Sequence, residues 1–177
     1  MKKYTYSKGF NVTSLEGVTG VYMFREECGD IVYVGSCRGD FKNRLNSHYY
    51  HPSQKLTDDV RYMYVLIVEP HMDSVLHVLE HLLIWYFNPS KNDALWFFGG
   101  SEEDVKRIAK ENNLHIRGSI EEFLLSFECV LIEREWDDNF EYKRYGEQEQ
   151  IDSKKVRCTG TLDCLCLRCL VKANSTG

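Results

Sequence analysis

The sequence predicts a mixed α/β (α+β) fold in which a small sheet opened by a β-hairpin is covered by flanking helices. Three observations carry this expectation. Residues 20–24 and 31–35 are runs rich in Val, Ile and Tyr, separated by Cys28, Gly29 and Asp30, a turn in which glycine can take positive φ. Residues 60–68 form another β-branched and aromatic run. Between and after these stand helical patterns: Phe41, Leu45 and Tyr49 recur at i, i+4, i+8, and residues 73–87 are almost wholly apolar.

In order, the hairpin is expected to pair Glu27 with Asp30, so that Tyr22 faces Gly35 and Phe24 faces Tyr33. A helix follows over residues 40–50 and ends before Pro52; after the third strand, Asp73 or Ser74 caps a second helix that stops before Pro89. The order β-β-α-β-α implies a helix-covered sheet with a cleft beside the hairpin. Beyond Asn92, Ser101 starts a helix to about Asn112, Ser119 starts another to about Phe127, and residues 129–132 add a strand. Residues 133–155 read as a charged surface arm. The expected division is residues 1–94, then a helical, acidic extension over 95–152, then a basic, Cys-rich tail over 153–177.

The chain has 177 residues, 43% hydrophobic and 13% aromatic, enough for one sizeable core. No window approaches the apolar length of a membrane span, and the first residues lack a signal-like apolar core, so a cytoplasmic protein with no membrane partner is expected. Of seven cysteines, Cys158, Cys164, Cys166 and Cys169 crowd into the tail, which does not resemble a secreted disulfide framework. Net charge is −5 but uneven: residues 101–152 hold seven basic and fifteen acidic residues, a net −8, whereas 153–172 hold five basic and one acidic, a net +4.

Several side chains stand out as chemistry-bearing. Tyr22 and Tyr33 become diagonal neighbours on one face of the hairpin, either as a plain aromatic pair or as two phenols at one place. Arg44 and His48 lie four apart on the first helix, beside its buried stripe. Only His77, Glu80 and His81 interrupt the second helix, and a carboxylate there is either a narrow exposed stripe or a hard-cation ligand at a pocket rim. The histidines are read as packing or surface residues. Trp85, Tyr86, Phe87, Trp96, Phe97 and Phe98 are read as core in preference to base-stacking groups.

Together these positions resemble the GIY-YIG nucleases: Gly20-Val21-Tyr22, ten residues, Tyr33-Val34-Gly35, the Arg44/His48 pair, Glu80, and Asn92 twelve residues on. The match runs from about Gly20 to Asp93, with valine in place of isoleucine in both tripeptides and a slightly longer loop at Gly39-Asp40. The resemblance implies a metal-dependent endonuclease acting on DNA, with Glu80 holding a single Mg²⁺ or Mn²⁺ and Arg44 gripping the phosphate. It further implies Tyr22 as general base with His48 taking its proton, Tyr33 orienting water or metal ligands, and Asn92 as a structural hydrogen-bonding residue. Arg38 is a candidate phosphate contact. A catalytically silent DNA- or protein-binding module of the same fold is the alternative. The four tail cysteines are enough for a structural zinc site, with independent reduced thiols or incidental disulfides the other readings.

Overall fold

The computed structural model of the chain describes residues 6–27, 29–53, 55–92, 98–135, 151–152 and 166–175. The expected hairpin is β3 (Thr19–Glu26) and β4 (Ile31–Arg38), preceded by a short pair, β1 (Tyr6–Ser7) and β2 (Phe10–Asn11). β5 (Val60–Ile67), β6 (Cys129–Glu133) and β7 (Ile151–Asp152) complete a sheet of order β4-β3-β5-β6-β7, in which every pairing is antiparallel. The fold is therefore mixed α/β as expected, with the strand from residues 129–133 widening the sheet. Ile151 and Asp152, expected in a surface arm, instead pair with Leu131 and Val130.

Register follows the side-chain pattern. Tyr22 pairs with Gly35 and Phe24 with Tyr33, as alternation requires. At the turn the expectation fails: a bulge sets Arg25 opposite Ile31, and the Glu26 amide bonds the Asp30 carbonyl, so Glu27 does not pair with Asp30. Gly29 at φ +111° makes the tight return, and the Arg25 Nε donates to its carbonyl at 3.0 Å.

Helices cover both faces. On one, α1 (Phe41–Tyr50) is capped by Asp40, whose carboxylate accepts from the Asn43 amide at 3.0 Å. It buries Phe41, Leu45 and His48, so the buried stripe runs i, i+4, i+7 and takes in His48, which had been expected to flank it together with Arg44. Phe10, Leu15, Tyr22, Phe24 and Met63 close this core. On the other face lies α2 (Leu76–Phe87). It starts later than expected, because Pro70–Val75 is a 3₁₀ turn and neither Asp73 nor Ser74 caps it. It ends at Asn88, left-handed at φ +45°, just before Pro89.

The extension folds onto the α2 side. α3 (Glu102–Glu111) and α4 (Ile120–Leu125) each begin with a reciprocal capping box, Ser101 with Asp104 and Ser119 with Glu122. α5 (Leu167–Ser175) buries Leu167, Leu170 and Val171 in the same core, and Tyr86 donates its hydroxyl to the Val171 carbonyl at 2.9 Å. The tail, expected as a basic, Cys-rich segment, thus carries an apolar stripe. Each such side chain stabilises the packed state by about 1.5–3 kcal/mol. One core draws on Val21, Leu83, Val105 and Val171, so it crosses both boundaries expected from the sequence. Phe87 and Phe98 are buried and Trp85 and Tyr86 packed against the core, whereas Trp96 and Phe97 lie outside the described residues.

Candidate active site

β4 is the terminal strand of the described sheet, and the expected site residues gather around it from both faces. From the α1 side, Tyr22 is fully buried, with Phe24, Phe41, Tyr33 and His48 all between 5.3 and 6.2 Å from its ring centroid. Its hydroxyl makes a short hydrogen bond to His48 Nε2 and accepts from Arg44 Nε at 3.0 Å. Tyr33 stands edge-on to His48, 4.8 Å between centroids. The four residues read from the sequence as separate pairs are one packed group.

Gly35 makes room for it. A Cβ there would lie 2.5 Å from the Tyr22 hydroxyl oxygen, 2.6 Å from its Cζ and 2.9 Å from Tyr33 Cε1. The glycine of the second tripeptide is required by the phenol laid across it, not by backbone conformation.

From the α2 side comes Glu80, half-buried, whose Oε2 accepts from the Ser36 hydroxyl at 2.6 Å. Ser36 was not picked out from the sequence, where a serine in a strand carries no signal of its own. Alternation puts Gly35 and Ser36 on opposite faces, so consecutive residues of one strand hold the two halves of the site. Glu80 is near enough for its charge to act on both Tyr22 and Arg44.

Asn92 closes the outer edge of β4. Its Oδ1 accepts from the Val34 amide and its Nδ2 donates to the Val34 carbonyl, each at 2.8 Å, while the Lys91 amide bonds the Val32 carbonyl at 2.8 Å. The carboxamide does what a neighbouring strand would do. Arg38 sits apart, exposed, its Nε 2.9 Å from Asp73 Oδ1. It ties the end of β4 to the turn before α2.

The electrostatics are consistent with this geometry. Burial, reinforced by Tyr33, raises the Tyr22 pKa well above the usual phenol value, although Arg44 opposes the shift. Tyr22 therefore stays a phenol at neutral pH. Burial, then the charges of Arg44, Lys55 and His51, push His48 down to about 4. A neutral imidazole accepts at Nε2, so we assign the phenol proton to the hydrogen bond with His48 and the Nδ1 position to its N–H. Burial works against the Arg44 charge, but Tyr22, Tyr33 and Glu80 outweigh it and its pKa is raised.

Among the described residues no group of three or more His, Cys, Asp or Glu side chains converges on one point. The donor set is a lone carboxylate with one oxygen engaged by Ser36. That fits a hard cation that keeps most of its water, as Mg²⁺ does, and not a site built wholly of protein ligands. Of the tail cysteines, Cys166 is buried and Cys169 half-buried at the start of α5, and the Cys169 amide donates to Cys166 Sγ at 3.4 Å. Cys158 and Cys164 lie outside the described residues.

No family-wide sequence profile matches the chain. Its sequence is 32% identical over 88 residues to UvrABC system protein C of Carboxydothermus hydrogenoformans, a match covering 46% of this chain and 14% of that protein. The chain thus spans about a seventh of the length of that relative. Among solved structures, it is similar to the GIY-YIG N-terminal endonuclease domain of UvrC from Thermotoga maritima. A tyrosine-to-phenylalanine point mutant of that domain, bound to its catalytic divalent cation, shows 22% identity and a TM-score of 0.39, covering 45% of this chain and 87% of that one. The magnesium-bound form gives 22% identity and 0.37, covering 44% and 86%. No described helix is long and apolar enough to cross a membrane.

Proposed function

We propose that this protein is a metal-dependent endonuclease that hydrolyses DNA phosphodiester bonds, acting in the cytoplasm. The observation that carries the reading is the contact of Tyr22 with both His48 and Arg44 directly across β4 from Glu80. Phosphodiester hydrolysis needs an activated water, charge neutralisation at the phosphate and a stabilised leaving oxygen. Mg²⁺ or Mn²⁺ held by Glu80 would supply Lewis acidity to the phosphate and stabilise the leaving oxygen.

The protein's own groups do the rest. Arg44 is exposed while its Nε meets the phenol of fully buried Tyr22, so a phosphate that binds the guanidinium is brought beside that phenol. Because burial keeps Tyr22 protonated, it serves as a relay and not as a standing phenolate. Once substrate binding draws the Arg44 side chain aside and admits the attacking water, the Tyr22 oxygen would take a proton from that water as its own proton passes to His48 Nε2, the imidazolium forming beside the negatively charged phosphate. Tyr33, packed on His48, fixes the imidazole and borders the water's position.

Digestion of supercoiled plasmid and of branched and single-stranded oligonucleotides with Mg²⁺ or Mn²⁺ tests the reading. Glu80→Ala should abolish nicking with the fold intact, and Arg44→Ala should cost roughly 2 kcal/mol or more in transition-state stabilisation. Parent-like nicking by folded Glu80→Ala overturns the metal role. A parent protein that binds DNA without cutting it under any of these metals points to the silent binding module. We also propose that Cys158, Cys164, Cys166 and Cys169 hold one structural Zn²⁺, supported by the two described thiols lying one turn apart at the head of α5. Metal analysis of protein purified without added zinc, with a Cys164/Cys166 double serine variant, decides it.

A further inference from the structure

The outer side of α1 and the loop after it stand out electrically. In a chain of net charge −5, residues 41–56 contain Lys42, Arg44 and Lys55 and no acidic residue. At the end of α1, Tyr50 is 72% exposed, and among the described residues it is the only large hydrophobic side chain so presented. It is not loose. The Lys8 ammonium lies 3.9 Å from the Tyr50 ring centroid and 4.4 Å from that of Tyr49, and it hydrogen-bonds the Tyr50 hydroxyl. Tyr49 meets Tyr50 edge-on at 5.3 Å. The hydroxyl end of the Tyr50 ring thus carries a cation while most of the side chain stays exposed.

The backing is itself built in. Lys8 is a non-glycine residue in the left-handed region, at φ +52°. Its carbonyl accepts from Nε of Arg134 at 2.8 Å, and Arg134 is buried, also holding the carbonyls of Thr57 and Val60 through Nη1 and lying against the Phe10 ring. Gly9 follows at φ +83°, where a Cβ would come within 2.5 Å of the Glu135 carbonyl. A strained turn locked by a buried arginine aims an ammonium at an exposed ring, which is ordering that surface packing alone does not require.

We propose that Tyr50 and Lys8 form a stacking platform for an unpaired base of the DNA strand being cut, with the Lys8 ammonium beside a neighbouring phosphate. The inference rests on the nuclease reading and extends it to substrate class: a strand with at least one unstacked nucleotide near the cut. Tyr50 lies six residues beyond Arg44, about 9 Å along the axis of the same helix, a short step along an extended strand from the phosphate that Arg44 grips. A flat ring face beside a cation suits a base and its phosphate; an acidic peptide would use the cation alone.

The test uses the full chain in EDTA, which blocks cleavage, and fluorescence anisotropy with a labelled single-stranded oligonucleotide carrying 2-aminopurine at successive positions. Tyr50→Ala should weaken binding on the order of tenfold and abolish the 2-aminopurine quenching seen with the parent, while Tyr50→Phe keeps both. Lys8→Gln should lower the salt slope of binding by about one. Parent-like affinity in Tyr50→Ala, or displacement of the oligonucleotide by polyglutamate at matched charge concentration, overturns the platform. If the parent nicks DNA and Tyr50→Ala binds as well as the parent, the platform alone falls. A parent that neither binds nor nicks removes the nuclease reading and the platform with it.

Discussion

Replacing Gly35 with alanine tests whether the second tripeptide serves the phenol or the backbone. The added Cβ would stand 2.5 Å from the Tyr22 hydroxyl oxygen and 2.6 Å from Cζ, where ordinary contact begins at 3.4 Å. The phenol must therefore shift by about 1 Å, and a misplacement of that size near the reacting atoms costs on the order of a hundredfold in rate. The ring has nowhere easy to go, because Phe24, Phe41, Tyr33 and His48 surround it and Tyr22 has no exposed surface. Gly35 lies in extended strand, so alanine adds no backbone strain; overpacking alone should cost about 1–3 kcal/mol of stability. Rates of supercoiled-plasmid nicking and thermal melts are measured in parallel. Gly99→Ala, where a Cβ meets nothing within 4 Å, is the neutral control. A folded Gly35→Ala protein that nicks within a few-fold of the parent refutes the steric argument.

Asn92→Ala should lose about 1–3 kcal/mol of stability by exposing or orphaning the Val34 amide and carbonyl, read by denaturant melts; an unchanged midpoint would mean water replaces the carboxamide at no cost. His48 titrates at about 4 when folded against 6.5 when unfolded, so between those values the unfolded chain binds more protons and stability falls as pH drops. The loss should approach roughly 3 kcal/mol near pH 4; comparison of pH-dependent melts with His48→Phe should show that slope removed, and an identical slope in the variant sinks the assignment. Arg38→Ala should change stability by less than about 1 kcal/mol, since both partners of its ion pair with Asp73 are largely exposed; a larger drop in the melting transition would show that the pair anchors the turn before α2.

Much of this was legible because hairpin register and helix spacing are local rules. Numbering across the Cys28-Gly29 turn was enough to set Tyr22 opposite Gly35, and it failed only past Phe24, where a bulge leaves no trace in side-chain alternation. The i, i+4 spacing located Arg44 and His48 but placed them symmetrically. Only packing decides that His48 turns inward to the phenol while Arg44 stays exposed. β1 and β2, two residues each, are too short for any period to register. The tail was misread because Leu167, Leu170 and Val171 span barely one turn among cysteines and charges, and their burial depends on Tyr86 and the α2 side of the core. Arg134 looked like one more charge in an acidic stretch, yet it is buried through carbonyls supplied by residues 8, 57 and 60.

Three consecutive residues of β4 account for the geometry of the site. Val34 offers its outward amide and carbonyl to Asn92; Gly35, by lacking a side chain, lets Tyr22 lie across the strand; Ser36 turns its hydroxyl to Glu80 on the opposite face. Each link is of a different kind, yet all three share one backbone segment whose position is fixed by pairing with β3. A one-residue slip of β4 would send Gly35 to the wrong face, drive a side chain into the phenol and pull the Ser36 hydroxyl from Glu80. The carboxylate and the Tyr22, His48 and Arg44 group are therefore coupled through a strand whose own side-chain contribution to the proposed site is Tyr33 and the Ser36 hydroxyl. Substitutions at Asn92, Gly35 and Ser36 should accordingly be non-additive, because whichever first displaces β4 removes most of what the other two could still disturb.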